Sequence, residues 1–179
     1  MTSYSGFFLY FSFMKIRLRN LQLDDIKILT RQFNNKKIWD NISDSIPNPY
    51  TEADAEYFIK TSLKKEELFN FAILCDEKFS GIIGLKMQDD VHRKSVELGY
   101  WVGEEYWGRG IATQATGLIT AWAFKHLMIN RIFARIFQHN KASMRVLEKN
   151  AYVKEGVLKK AIYKNAQFLD EYIYARLKK

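Results

Sequence analysis

Cysteine and proline are scarce in this sequence: of its 179 residues, only Cys75 is a cysteine and only two are prolines. A single cysteine excludes a disulfide within the chain and favours a reducing, cytoplasmic setting. No apolar run reaches the roughly 20 residues that a membrane-spanning helix needs, so no membrane association is predicted. The three histidines are dispersed and no Cys/His cluster exists, so no metal site is predicted either.

The charge is unbalanced toward the basic side, with 28 Lys plus Arg against 20 Asp plus Glu and a formal net charge of +8. Such a surface favours an anionic partner, for example a phosphate-bearing cofactor. The basic residues are scattered, however, and no clustered basic and aromatic surface is found. Scattered charge is typical of a solvated surface, so direct nucleic-acid binding is not expected.

Residues 1–14 form an aromatic N-terminal extension, and a single domain is predicted over residues 15–179. No Lys or Arg precedes the apolar run at 7–11 and no small-residue cleavage site follows it, so the run does not resemble a signal peptide. Three interpretations stay open: an additional strand, a contact in a homodimer, or an upstream start.

The hydrophobic periodicity predicts an α/β fold around one twisted sheet with some antiparallel neighbours, flanked by about four helices. The expected strands cover about 15–19, 69–75, 81–87, 94–102, 131–137, 152–157 and 168–177, and the expected helices about 24–33, 51–63, 111–125 and 140–150.

The segment WGRGIAT, from Trp107 to Thr113, stands between a predicted strand and a predicted helix. The free N–H groups at a helix N-terminus, approached through glycines, can bind a pyrophosphate. The alternative is a tight strand-to-helix turn without a ligand. A nucleoside triphosphatase is disfavoured because no Lys-Ser/Thr pair follows, and a dinucleotide fingerprint because the third glycine is missing.

Three segments together, ELGYWV at 97–102, WGRGIAT at 107–113 and NKAS at 140–143, resemble the GNAT acetyltransferases. Within that family they resemble the branch that acetylates ribosomal-protein N-termini. The resemblance covers essentially everything after Met14, and it depends on the order and spacing of the segments. Gly110 and Ala112 match the glycine and the glycine-or-alanine of the family's pyrophosphate loop, whereas Trp107 departs from its first position.

The resemblance implies a single-domain GNAT fold with a mixed, mostly antiparallel sheet and a central pair of splayed parallel strands. A bulge at Gly99 is expected to part them. It also implies acetyl-coenzyme A as cosubstrate and coenzyme A as product. The implied cofactor-binding residues are Tyr100, Trp101, Val102, Trp107, Gly108, Arg109, Gly110, Ile111, Ala112, Thr113, Asn140 and Ser143. Asn140 could instead be an ordinary helix cap.

Two catalytic residues are implied. Glu97 is the expected general base, acting directly or through a water, and the alternative is a solvent-facing glutamate. Many relatives place a tyrosine acid where this chain has Leu147, so Ser143 or a water is expected to protonate the leaving thiolate. Glu104 and Glu105 are weaker candidates that could attract a cationic amine.

The implied function is direct acetyl transfer to a primary amine, in particular the α-amine of a protein such as a ribosomal protein. The alternatives are a small-molecule acceptor (a polyamine, an aminoglycoside or an amino acid) and a non-catalytic acetyl-coenzyme A-binding protein. A polyamine is disfavoured by the frequent Lys and Arg around 60–65 and 154–164.

Overall fold

The computed structural model describes residues 14–64 and 68–179, which form one seven-stranded sheet. The strands are β1 (Ile16–Asn20), β2 (Leu68–Cys75), β3 (Lys78–Met87), β4 (Ser95–Val102), β5 (Arg131–Phe137), β6 (Val153–Lys164) and β7 (Gln167–Leu177). Their spatial order is β1-β2-β3-β4-β5-β7-β6, and every pair is antiparallel except β4–β5. The predicted mixed sheet with a central parallel pair is confirmed. The aromatic extension lies outside the described residues, apart from Met14.

Five α-helices accompany the sheet in the described chain, one more than the expected four. They are α1 (Ile26–Phe33), α2 (Lys36–Trp39), α3 (Glu52–Lys64), α4 (Ile111–His126) and α5 (Lys141–Lys149). The additional helix is α2, whose first turn is capped by Asn35: its Oδ1 accepts from the Lys37 N–H at 2.9 Å. A four-residue helix has no independent stability, so tertiary contacts must hold α2 in place. Among the described residues, no helix has the length and apolar character to cross a bilayer.

The sheet separates two apolar clusters. On one face, Ile119 of α4 and Leu147 of α5 are completely buried against Ile132 of β5. On the other face, Leu29 of α1 and Ile59 of α3 are completely buried against β2 and β3. Successive strand residues point to opposite faces, so helices on both faces explain why the central strands read as nearly continuous apolar runs.

The parallel pair β4–β5 is joined over only three residues, Ser95–Glu97 against 131–133. Beyond Glu97 the strands part, as expected for the splayed pair. The register of β4 on β3 nevertheless runs without a shift from Val96 to Val102. The β3–β4 pairing therefore contains no bulge at Gly99, and that prediction is wrong. The separation of β4 from β5 lies entirely on the β5 side of β4.

The C-terminal hairpin β6–β7 is longer than predicted, because β6 continues to Lys164. Its tip is Asn165-Ala166, with φ of 51° and 58°. Two positive φ values in a two-residue hairpin loop define a type I′ turn. The β6–β7 register shifts between Leu158 and Ile162, where Lys160 has a φ of 53°. This irregularity breaks the alternation that would have marked the strand in the sequence.

Candidate active site

The splayed end of β4 presents backbone groups toward β5. Near the two ends of β4, the Ser95 carbonyl accepts from the N–H of Gln88, just after β3, at 3.1 Å, and the Gly103 N–H donates to the carbonyl of Ser80, within β3, at 2.8 Å. Backbone groups alternate between the two sides of an antiparallel strand, so the odd-numbered residues between them face β3. Tyr100 and Val102 therefore direct their N–H and C=O groups toward β5, past the last β4–β5 pair.

The turn after β4 leads into α4 through a run of free amides. The N–H groups of residues 108–113 donate to no protein group in the two described stretches of the chain, and the first in-helix bond is Gln114 N–H to Gly110 O at 3.1 Å. The 16-residue helix α4 adds the partial positive charge of its N-terminus. Six adjacent free donors at a helix N-terminus are an arrangement that can bind an anion such as a diphosphate.

The two glycines of this turn have backbone conformations that favour glycine. Gly108 and Gly110 have φ of 75° and 77°, in the left-handed region where other L-residues are disfavoured. At both positions, no described atom other than those of the glycine and its two chain neighbours lies within 4 Å of where a Cβ would stand. The space above the amides is therefore open to a ligand, which favours the anion cradle over the interpretation as a turn alone.

A cavity of about 520 Å³ connects this turn with β4 and α5. Its lining contains nearly all residues implied as cofactor-binding: Tyr100, Trp101, Val102, Trp107, Gly108, Gly110, Ile111, Ala112, Thr113, Asn140 and Ser143. Arg109 and Glu97 are not among the described lining residues. The Arg109 guanidinium lies instead over the Tyr106 ring, 5.8 Å from its centroid.

Trp107 holds the turn against β4. Its indole Nε1 donates to the Val102 carbonyl at 2.6 Å, while 46% of the residue stays exposed. This bond occupies the Val102 carbonyl and leaves its N–H available on the same side of the strand. The aromatic departure from the family pattern thus positions the cradle on the strand, a role the sequence did not reveal.

On the opposite side of the wedge, α5 begins at the cavity. The Asn140 Oδ1 caps it by accepting from the Ser143 N–H at 3.1 Å, so Asn140 is a helix cap and lines the cavity at the same time. The Tyr100 hydroxyl donates to the Ser143 carbonyl at 3.1 Å. Burial raises the pKa of Tyr100, so this phenol stays protonated and remains a donor.

The α2 wall, formed by Lys37, Ile38, Asn41 and Ile42, closes the cavity on its remaining side. Sequence reasoning missed this wall because α2 is too short to produce a periodic pattern. Four cations line the cavity: Lys37, Lys141, Arg145 and Lys149. No carboxylate side chain lines it among the residues that the structure describes.

The two glutamates after β4 are engaged elsewhere. Glu104 accepts from the Asn35 Nδ2 at 2.7 Å and forms an ion pair with Lys37. These hydrogen bonds, of which the one from Lys37 has the largest effect, hold the pKa of Glu104 below its ordinary value. Glu105 accepts from the Gln32 Nε2 at 3.1 Å. Both carboxylates therefore attach α1 and α2 to the end of β4.

Glu97 lies at the last β4–β5 pair, opposite Phe133 and on the same strand face as Gly99 and Trp101. Its carboxylate is 3.6 Å from the Arg135 Nε, and 31% of the side chain is exposed. Because Glu97 stands outside the cavity lining, proton transfer from an amine in the cavity would need an intervening water. The possible metal ligands, moreover, form no cluster of three or more within the described residues.

Comparison with known proteins agrees with this geometry. Residues 15–153 match the acetyltransferase (GNAT) domain family. The N-acetyltransferase p20 of Bacillus licheniformis, itself uncharacterized, is 25% identical over 173 residues, covering 92% of this chain and 94% of its own. The fold superposes with a TM-score of 0.81 on RimL, a ribosomal L7/L12 α-N-protein acetyltransferase in complex with coenzyme A, at 20% identity, covering 90% of this chain and 93% of that one.

A Vibrio cholerae spermidine N-acetyltransferase in complex with coenzyme A and spermine has a TM-score of 0.79 at 20% identity, covering 90% of this chain and 95% of its own. At such identities the two structures show the fold alone. The family match spans most of the chain, and the chain therefore belongs to the GNAT acetyltransferases. It is an acyltransferase, and the acceptor has to be argued from the site.

Proposed function

We propose that this protein transfers the acetyl group of acetyl-coenzyme A to the α-amine of a protein N-terminus. The site fits the cosubstrate in three respects. The amides of residues 108–113 would hold the diphosphate, and the backbone N–H and C=O of Tyr100 would pair with the amides of the pantetheine arm. The cations Lys141, Arg145 and Lys149 add attraction for the phosphates.

The observation that carries the choice of acceptor is the absence of any carboxylate among the described residues of the cavity lining. A polyamine carries several positive charges and needs acidic partners to offset its desolvation. The charged side chains of the lining are instead cationic, namely Lys141, Arg145 and Lys149, together with Lys37, which is paired with Glu104. A peptide α-amine has a pKa of about 8, whereas a lysine-type amine has one near 10, so more of it is neutral and ready to attack at pH 7.

In the proposed reaction, the lone pair of the neutral amine forms the new C–N bond while the C–S bond breaks and its electrons go to sulfur. The Val102 N–H stabilises the charge that develops on the carbonyl oxygen. Glu97 accepts the proton from the amine through a water, and Ser143 or a water protonates the thiolate. Coenzyme A leaves, and no acyl-enzyme forms.

RimL, which shares the fold, acts on ribosomal protein L7/L12, so a ribosomal protein is one acceptor to test. The test offers the enzyme octapeptides that begin with Ser or Ala, with spermidine in a parallel reaction, and follows the mass gain of one acetyl group. We expect α-amine acetylation of the peptides and slower turnover of spermidine. Faster spermidine turnover would overturn the choice of acceptor.

N-terminally blocked versions of the same octapeptides serve as the control and should not react. Binding of coenzyme A without turnover of any peptide or amine would show a non-catalytic binding protein. This outcome would also contradict the assigned roles of Glu97 and Ser143.

A further inference from the structure

A buried lysine joins the C-terminal hairpin to the α2 wall. Lys164, the last residue of β6, is only 3% exposed. Its Nζ lies 2.6 Å from Asp44 Oδ1, 3.0 Å from the Ile42 carbonyl oxygen and 3.4 Å from the centroid of the Trp39 ring. An ammonium group has three N–H donors, and here two carry hydrogen bonds while the charge faces an aromatic ring.

These contacts hold the segment that follows α2. The neighbouring Asn165 strengthens the attachment, because its Nδ2 donates to Asp40 Oδ1 at 3.0 Å. The other end of α2 is held separately by Glu104, through Asn35 and Lys37. The α2 wall thus has two anchors, one on the end of β4 and one on the hairpin.

The hairpin anchor holds the wall in an arrangement that is unfavourable for Asn41. The Asn41 Nδ2 donates to the Lys37 carbonyl at 2.9 Å, which fixes the orientation of the amide. Its Oδ1 is buried and accepts no hydrogen bond from any part of the chain that is described. An unpaired buried acceptor is destabilising, so other contacts must hold this part of the wall in place.

We propose that Lys164 is a positioning residue for the acceptor amine: by holding the 39–44 segment against the hairpin, it sets the wall that Ile38, Asn41 and Ile42 present to the cavity. The inference rests on the proposed function, because it assigns that wall to the acceptor. The cradle for coenzyme A is built from β4, α4 and α5, whereas the side-chain contacts of Lys164 fall on the 39–44 segment. Loss of Lys164 should therefore affect the acceptor and leave coenzyme A binding intact.

The test compares Lys164→Met, which keeps length and loses charge, with Lys164→Arg and with Lys159→Met. Lys159 belongs to the same strand and pairs with Asp170 at 2.8 Å on the surface, so it is a matched control. For Lys164→Met we expect the KM for a Ser-initiated octapeptide to rise by about tenfold, since small misplacements in a site have large effects. The Kd of coenzyme A, measured by calorimetry, should stay within about twofold of the wild-type value, because the free energy of coenzyme A binding is expected to be unaltered.

Lys164→Arg should recover most of the peptide KM, because a guanidinium also stacks on an aromatic ring. A peptide KM unchanged in Lys164→Met, or a Kd of coenzyme A that rises in parallel, would overturn the inference. If Lys164→Met does not fold, Asp44→Asn is used, because it removes the ion pair from its exposed partner. This variant should also raise the peptide KM. An unchanged KM in Asp44→Asn would contradict the proposal.

The two proposals fail separately. If the wild-type enzyme acetylates spermidine and no peptide, the proposed acceptor is wrong, and the same variants are measured with spermidine. A raised spermidine KM in Lys164→Met would then still support the role of Lys164.

Discussion

The Tyr100 hydroxyl donates a hydrogen bond to the Ser143 carbonyl at 3.1 Å, and it thereby ties the splayed strand β4 to the first turn of α5. This link crosses the wedge in which the cosubstrate is proposed to lie. It also fixes the backbone of the residue proposed as the acid.

Tyr100→Phe removes this link without changing the ring. We expect the free energy of unfolding to fall by about 1 kcal/mol, the usual net value of such a bond. Turnover should fall several-fold because the first turn of α5 loses an anchor. Denaturant unfolding and steady-state kinetics provide the measurements. Tyr163→Phe, at an exposed phenol of the hairpin, should alter neither quantity.

Gly110→Glu tests the anion cradle. It places a carboxylate beside the free amides and imposes a left-handed φ on a residue that disfavours it. The Kd of coenzyme A should rise by at least about 100-fold, which corresponds to about 2.7 kcal/mol. Gly110→Asn is the control, because asparagine tolerates this conformation and adds no charge. An unchanged Kd in the glutamate variant shows that the cradle is assigned wrongly.

Glu97→Gln tests the proposed base. The loss of kcat/KM should be greatest at low pH, where most of the amine is protonated and proton removal limits the rate. Glu171→Gln is a matched control, since Glu171 contacts the same Arg135 at 3.2 Å but has no proposed role. A pH–rate profile identical to that of the wild type would remove Glu97 from the mechanism.

Ser143→Ala tests the proposed acid. At pH 7 we expect kcat to fall by about tenfold, at the low end for a general acid because a water can substitute. The deficit should shrink above about pH 8.5, where the thiolate leaves without a proton. If the deficit is constant across pH, or absent, Ser143 is not the acid.

The buried phenol of Tyr152 is expected to make the protein less stable in alkali. Burial raises the pKa of this phenol to about 12, from an ordinary value of 10. Because the folded state holds the proton more tightly, its contribution is complete below pH 10 and disappears as the pH rises from 10 to 12. Between pH 10 and pH 12, the free energy of unfolding should therefore fall by about 1–2 kcal/mol less in Tyr152→Phe than in the wild type. Urea titrations at pH 9, 10 and 11 measure the slope, and an unchanged slope contradicts the prediction.

Much of the site could be predicted because its parts are local. The strand Arg131–Phe137 and the start of α4 at Ile111 follow from alternation and from the glycines before the helix, and the structure has them where the sequence predicts. The backbone amides of residues 108–113 belong to one continuous turn. Features within a few residues of each other leave a pattern that periodicity can detect.

The α2 wall, which we propose faces the acceptor, could not be predicted because it depends on distant contacts. Lys164 and Asp44 are 120 residues apart, and a lysine near a strand end is usually exposed. The Asn165-Ala166 tip lacks the glycine that normally marks a type I′ turn, so the full length of β6 went unseen. The sequence predicts Glu97 on the strand where it lies, but only the structure shows that its carboxylate faces Arg135.

The three-residue contact between β4 and β5 also bears on how the protein holds together. Of the six junctions between neighbouring strands, five are antiparallel, and the three-residue parallel junction β4–β5 is the weak seam between strands β1–β4 and strands β5–β7. The cavity beside this seam is lined by β4 on one side and by α5, which follows β5, on the other, so a molecule bound there would add to the cohesion between the two sides. Coenzyme A bound as proposed would then act as a temporary structural element, and its release would weaken the attachment between the two groups of strands.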